Sequence, residues 1–389
     1  MTQTFRKALA PARPSLGRLT RLVAASLALT GAAISQAAEY KVVVLQSLTG
    51  GAAFIGAPMR DGAVLAAEEI NRKQELGAGN TIKVEIADDA TDRNQTLSLI
   101  KRYAADPTVL AIMGPTSGAV AVAGAAAAND LKVPLLATSN SMDVLKAGPW
   151  SHILTQPGDV TMPFIANYAI DKLAVKNCTV IGLHDVEIYL SMQRVFENIV
   201  KQRGAKVGSV EAIKGSDSDF SALATKVVNA NPDCVFISAT APQAANIIIQ
   251  LRNAGLDPKT RVLGHNAFSS SQLVDRGGKA VEGVYFIGDW VPGGTDDFSR
   301  AFAESFKAKH KSDADNWAAV GYGGMRIMAN AIKNAGANPT RDSVRAALGR
   351  TKDVPVVIGQ GKYSMNAERI PFSGMRVMQV KGGKFELAP

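Results

Sequence analysis

The stretch "AIMGPTSGAVAVAGAAAAND", residues 111–130, carries one complete structural unit. An apolar run ends at Gly114, a Gly/Pro/Thr/Ser turn follows, and a helix of small residues begins near Gly118. A buried strand feeding a helix through a tight turn is half of a βαβ unit. Such a turn points free backbone N–H groups at whatever lies above it, and they suit an anion. The anion could be a nucleotide phosphate or something else.

Outward from that unit the same alternation repeats. "YKVVVLQSL" (40–48) reads as a strand and residues 56–71 as an amphipathic helix, with Ala63, Ala67 and Ile70 on one face and Arg60, Glu68 and Glu69 off it. "TIKVEIADD" (81–89) is a strand, 95–105 a helix, 109–114 a strand and "VPLLATS" (133–139) another strand. Continuous apolar strands of this kind are buried on both faces, which predicts a parallel sheet. A second series follows. Helices are predicted at 163–173, 190–204, 220–229 and 241–254, the third capped by the Ser/Asp cluster at 216–219. Strands are predicted at 177–185, 205–213, 233–239, 261–265 and 281–290. Helices at 296–309, 316–335 and 340–349 come next, and a strand pair closed by Gly382-Gly383 ends the chain. The fold class is therefore α/β, with two doubly wound parallel-sheet units. The Pro/Gly-rich segments 149–162 and 289–295 are where the chain crosses between them.

The 389 residues agree with about two domains at roughly 150 residues each. The composition, 47% hydrophobic and 20% charged, is that of a globular protein with a full core. The first residues read differently. Arg6, Lys7, Arg13, Arg18 and Arg21 form a basic region without an acid, residues 22–34 are apolar, and Ser35-Gln36-Ala37 is a small-x-Ala cleavage site. This is the pattern of a secretory signal peptide over 1–37, with an apolar run too short to span a membrane. Loss of those five cations takes the net charge from +9 to +4. No basic run interleaved with aromatics follows, so no nucleic-acid partner is expected. Two cysteines remain, Cys178 and Cys234, each at the start of a strand-like run. An exported chain permits a disulfide between them; two buried thiols are the alternative.

Open parallel sheets bind ligands beyond the carboxyl ends of their strands. That rule nominates 48–54, 88–89, 115–118 and 138–141 in the first unit, and 184–189, 239–241 and 265–268 in the second. Enzyme motifs do not fit these positions. No Lys-Ser/Thr follows Gly118, as a phosphate loop needs, and Gly114, Gly118 and Gly124 miss the dinucleotide spacing. "GPTSG" places Ser117 one position away from a nucleophile elbow. His152, His184, His265 and His310 are scattered with no metal-type spacing, so no metal or cofactor is expected. Asp88 and Asp89 are neighbours on a strand and point to opposite faces, which suits a helix-capping turn better than paired acid–base chemistry. "GPTSG" itself suits a carboxylate, through its hydroxyls, amides and the positive end of the next helix.

The segments "LTGGAAFIG", "EEIN", "ADDATD", "IMGPTSG", "VPLLATSN", "SDFSALATKV", "WAAVGYGGMRIMANAI" and "QVKGGKFE", in this order, resemble the periplasmic substrate-binding proteins of ABC importers of the branched-chain amino-acid type. The resemblance covers essentially the whole chain after residue 37. It implies a type I periplasmic binding fold, with two lobes joined by three hinge crossings, the third near 360–372. The lobes would be 38–155 plus 291–365, and 156–290 plus 366–389. It also implies a monomeric, non-enzymatic periplasmic receptor that captures a small carboxylated solute and hands it to the importer's permease subunits. The ligand's carboxylate would meet Thr116, Ser117 and Gly118, and Asn140 with Ser141. Phe54 or Ile55 would cover it from the first lobe and Tyr189 from the second, with Phe268 and Trp290 as further aromatic walls. Three positions depart from the family pattern. Gly118 stands where a hydroxyl is usual, Asn266 where an acid often binds the ligand's ammonium, and Thr240 or Ala241 where a tyrosine is expected. They point toward an acid or amide without an ammonium, unless Asp185 or Glu187 supplies the charge. The alternatives are an exported α/β hydrolase or amidase using His184 or His265 as base, and a ligand sensor for a membrane signalling protein.

Overall fold

A computed structural model describes residues 1–4, 37–116 and 118–389. The signal-peptide pattern and Ser117 lie outside the described residues. Residues 39–389 form one compact unit built on two main sheets.

The first sheet takes β1 (Glu39–Gln46), β2 (Thr81–Asp88), β3 (Val109–Met113), β4 (Leu135–Ala137) and β5 (Ser151–Ile153) in the order β2-β1-β3-β4-β5, all pairs parallel. The helices between these strands are α1 (Ala53–Arg72), α2 (Arg93–Ala105), α3 (Gly118–Asp130) and the single turn α4 (Asp143–Lys146). After α5 (Gly158–Asp171) come β6 (Asn177–Leu183), α6 (Glu187–Gln202), β7 (Lys206–Ile213), α7 (Ser221–Asn229), β8 (Cys234–Ser238), α8 (Ala241–Asn253), β9 (Arg261–Gly264), α9 (Ser271–Gly277) and β10 (Tyr285–Gly288). The chain then forms α10 (Asp297–His310), α11 (Asn316–Asn334), α12 (Arg341–Leu348), β11 (Val354–Pro355), β12 (Lys362–Met365) and β13 (Pro371–Phe372). It ends with β14 (Arg376–Lys381) and β15 (Lys384–Leu387), which join the second sheet, ordered β15-β14-β10-β9-β8-β6-β7. That sheet is parallel from β7 to β10 and antiparallel across β14 and β15. Strands β11, β12 and β13 make a small third sheet.

The apolar pattern explains the layering. Strand β3 is buried along its whole length, as is β8, so helices must cover both faces. Residues from α10 to β12 (Phe302, Trp317, Met325, Tyr363) join the core around the first sheet, while Met375 and Met378 join the cores around the second. Segments 154–157, 289–296 and 373–375 thus carry the chain between the two sheets. Helices α1 and α11 pack at backbone distance, because a Cβ on Gly62 would lie 1.9 Å from the Ala318 carbonyl oxygen and one on Gly321 2.0 Å from that of Met59. At the same interface the Tyr322 hydroxyl donates to the buried Glu69 carboxylate at 2.8 Å.

Some elements differ from the sequence reading. Strand β5 falls inside a segment read as a crossing, and α4, α9 and the third sheet were not expected. Each is too short to carry a periodic pattern. The predicted strand at 281–290 shrinks to β10, since Val281 closes a 3-10 turn, residues 282–283 turn at Gly283 with φ +77°, and 289–290 bend away. Cys178 and Cys234 are register partners on β6 and β8 and form a disulfide, with Cα atoms 4.3 Å apart.

Candidate functional site

The carboxyl ends of the two sheets face a cavity of about 830 Å³. The first wall begins with the loop after β1. Asp88 and Asp89 organise it rather than capping a helix, a role that Asp92 fills at α2. Asp88 accepts from the N–H groups of Leu48 (2.9 Å), Thr49 (3.3 Å) and Ala90 (2.8 Å) and from the Thr49 hydroxyl (2.7 Å). Partial burial opposes its ionisation, but these donors outweigh it and hold its pKa below the ordinary value. Asp89 accepts from the Ser47 hydroxyl at 2.6 Å, and burial raises its pKa. The braced loop sets Gly51, Ala52, Phe54 and Ile55 on the wall.

The turn after β3 needs its first glycine. Gly114 has φ +123°, and a Cβ there would sit 1.6 Å from the Leu45 carbonyl oxygen. The Thr116 hydroxyl lines the cavity but donates inward to the buried Gln46 Oε1. The Thr138 hydroxyl joins the same acceptor at 3.1 Å. Gly118 opens α3 on the cavity, and the N–H groups of a helix's first turn have no intrahelical partner. Asn140 lines the cavity and Ser141 does not. The Ser141 N–H instead donates to Ser139 Oγ at 3.3 Å, a turn that places Ser139 on the wall. Because that hydroxyl accepts from Ser141, its own proton is free to donate.

The second wall is more apolar at its base. Leu183, Val186, Ile188, Tyr189 and Met192 line it from β6 and α6. Tyr189 stacks on His265, ring centroids 5.1 Å apart. The His265 side chain is fully buried, which pushes its pKa down to about 3, and Nδ1 accepts from the Ala267 N–H at 3.2 Å. The ring is therefore neutral, with its proton on Nε2. Asn266 and Thr240 are on the wall, Thr240 as the N-cap of α8. Phe268 and Trp290 are not. Phe268 is buried below β9, where its ring fills the space beside Gly264, and Trp290 lies in the first core with its indole N–H donating to Ser299.

Asp185 and Glu187 do not line the cavity either. Both carboxylate oxygens of Asp185 accept from the Gly215 N–H, at 2.9 and 3.1 Å. Glu187 pairs with Arg194 at 3.5 Å. The charged residues on the described wall are Asp217 and Arg276. Sequence reasoning missed Arg276, Trp317 and Ile188. Ile188 sits in the nominated rim 184–189, where nothing in the sequence singles it out beside Tyr189. Arg276 and Trp317 lie far from any strand end and reach the cavity only through helix packing. Among the described residues no group of three or more His, Cys, Asp or Glu is placed to hold a metal ion, and no helix is long and apolar enough to cross a membrane.

Known proteins share this arrangement. The Leu/Ile/Val-binding protein BraC3 of Rhizobium johnstonii is 26% identical over 354 residues, which cover 90% of this chain and 93% of that one. The branched-chain amino-acid transporter substrate-binding protein LivJ of Streptococcus pneumoniae, solved with isoleucine, superposes with a TM-score of 0.82 at 23% identity and covers 90% of this chain and 98% of its own. A solute-binding protein of an ABC transporter from R. palustris, solved with benzoate, superposes with a TM-score of 0.78 at 18% identity and covers 90% and 95%. The fold is that of type I periplasmic binding proteins. Residues 39–384 match the sequence model of the periplasmic binding protein family, and the chain belongs to it.

Proposed function

We propose that this protein is the periplasmic receptor of an ABC importer and captures a small carboxylate-bearing solute between its two sheets. The lobes that move would be 38–155 plus 291–372, and 156–290 plus 373–389, because residues 366–372 pair with β12 and hold the first sheet through Arg369, with residues 1–37 removed on export. The observation that carries the reading is the asymmetry of the cavity. Its first wall offers the N-terminal turn of α3, the Ser139 hydroxyl and the Asn140 amide, all donors suited to a carboxylate. Its second wall offers Ile188, Tyr189 and Met192 to an apolar body. Gly118, Asn140, Tyr189, Thr240 and Asn266 would touch the ligand. Thr116 would act through its backbone, since its hydroxyl proton is engaged by Gln46.

The ligand fits best as an aliphatic or aromatic acid, or an amide, without an ammonium. Asn266 is neutral, Asp185 and Glu187 are turned to other partners, and Asp217, the acid on the described wall, has one carboxylate oxygen engaged by the Lys214 N–H. The fold accommodates both chemistries, with isoleucine in one structural relative and benzoate in another. An enzymatic reading is less well supported. His265 is stacked behind Tyr189 with Nδ1 committed to Ala267, and His184 is exposed with no hydroxyl or thiol partner among the described residues.

Titration calorimetry on the chain without residues 1–37 tests the reading against branched-chain amino acids, their deaminated analogues, and aliphatic and aromatic acids. Binding of the deaminated acids at least as tight as that of the parent amino acids is expected. Tighter binding of the amino acids overturns the assignment to Asn266, and silence across the panel overturns the receptor reading.

A further inference from the structure

We infer that the solute has two anionic ends and that Arg276 receives the second, which makes the ligand class a dicarboxylate. The inference rests on the carboxylate reading of the first wall. Arg276 is the cation on the described cavity wall. It lies on α9, which packs beside α8 on the second sheet, whereas the proposed anchor at Gly118 and Ser139 belongs to the first. The guanidinium is held from behind, because its Nε donates to Gln272 Oε1 at 2.9 Å, one helical turn earlier. No acid among the described residues lies within ion-pair distance of it, so its two terminal nitrogens keep their donors for a ligand. A guanidinium fixed through Nε presents those nitrogens as a planar fork that matches a carboxylate.

The cavity has room for a ligand that reaches both walls. At about 830 Å³ the cavity belongs to the upper part of the roughly 300–1,000 Å³ range of sites that enclose drug-sized ligands. A short monoacid seated at Gly118 would leave much of it unfilled. The other charged wall residue, Asp217, does not compete directly. One of its oxygens already accepts from the Lys214 N–H at 2.8 Å, whereas the terminal nitrogens of Arg276 have no partner among the described residues.

The test is titration calorimetry on the chain without residues 1–37, using straight-chain monocarboxylates and α,ω-dicarboxylates from succinate to sebacate. At the best length the diacid should bind at least about tenfold tighter than the monoacid, the equivalent of about 1.4 kcal/mol. R276Q should bring the two within about twofold by weakening the diacid, and R276K should restore part of the gap. Arg276 is exposed on its helix, so the variants should fold; unchanged thermal midpoints without ligand would confirm that. Monoacids binding as tightly as every diacid, or a diacid preference that survives R276Q, would overturn the inference while leaving the carboxylate receptor intact. An ω-amino acid that outbinds the diacid, with the advantage lost in D217N, overturns it as well. Failure of every carboxylate to bind overturns both readings.

Discussion

Gly118 and Ile188 face each other across the cleft, such that a Cβ on Gly118 would lie 3.8 Å from that of Ile188. One belongs to the first turn of α3 and the other to the first turn of α6, so the two sheets' ligand rims meet at this point. The spacing is ordinary contact, so a serine fits at Gly118 and would add the hydroxyl that this position lacks. A hydrogen bond to a charged group contributes about 1.5–3 kcal/mol. G118S should therefore tighten carboxylate binding by about tenfold or more, while G118L should collide with Ile188 and weaken it. Calorimetry with one bound acid checks both; a G118S affinity equal to the parent's would show that the carboxylate does not sit at α3.

Asp289 gives the fold a pH dependence of known sign. It lies in the second crossing, 2% exposed, and burial lifts its pKa to about 6 despite the Asn316 side-chain amide donating to it at 3.3 Å. The unfolded value is about 3.9. The folded state thus holds this proton more tightly, and the associated stability is present below pH ~4 and lost as pH rises through ~6. Two units correspond to at most about 3 kcal/mol. D289N should match the parent near pH 4 and exceed it above pH 6 in urea denaturation. Asp315, lifted to about 7 by burial at the cap of α11, adds a slope of the same sign that D289N leaves in place. Parallel pH profiles for parent and D289N would assign the whole slope elsewhere.

The alternation of strand and helix was legible because long buried strands such as "VVVLQ" and helices with an apolar stripe such as α6 carry their own period. What was hidden is either too short or set by packing. Strand β5 is three residues between Gly148 and Pro157, and only its pairing with β4 makes it a strand. The strand-end rule found the loops of the site but could not say which side chain on each loop faces inward. Ser139 lines the cavity instead of Ser141 because one N–H bends the chain back to the Ser139 hydroxyl. Thr116 is where the rule put it, yet Gln46, distant in sequence, takes its proton. Phe268 and Trp290 look like ligand shelves from composition alone, but each fills a core.

The Cys178–Cys234 bridge closes a 56-residue separation. On the chain-entropy scale a loop of that size corresponds to about 4 kcal/mol, with 2–4 kcal/mol typical of measured bridges. Both cysteines sit at the amino ends of β6 and β8, away from the cavity at the carboxyl ends. C178A/C234A should lose about 2–4 kcal/mol by denaturant titration and keep ligand affinity within about twofold. A variant that stays as stable as the parent would show that the bridge adds nothing to the fold.

Gln156 ties the first crossing to the third. It is 2% exposed, its Oε1 accepts from the N–H groups of Ser373 and Gly374, both at 3.2 Å, and its Nε2 donates to the Gly374 carbonyl at 3.1 Å. The third crossing is tied onward, since the Gln360 N–H donates to the Ser373 carbonyl and the Gly359 N–H to the Asp289 carbonyl in the second, each at 2.6 Å. One amide thus holds backbone that has no other sheet partner at 373–374. Q156A removes the acceptor and leaves two amides unpaired in a buried site, at a cost of about 1–3 kcal/mol. The loss should be local before it is global. Hydrogen–deuterium exchange should quicken at Ser373 and Gly374 while the amides of β3 and β8 keep their protection. Q156E, which keeps an accepting oxygen for the two N–H groups but loses the donor to the Gly374 carbonyl, should restore protection at those two amides more fully than Q156A. If exchange at 373–374 is the same in Q156A as in the parent, those amides are protected by something other than Gln156.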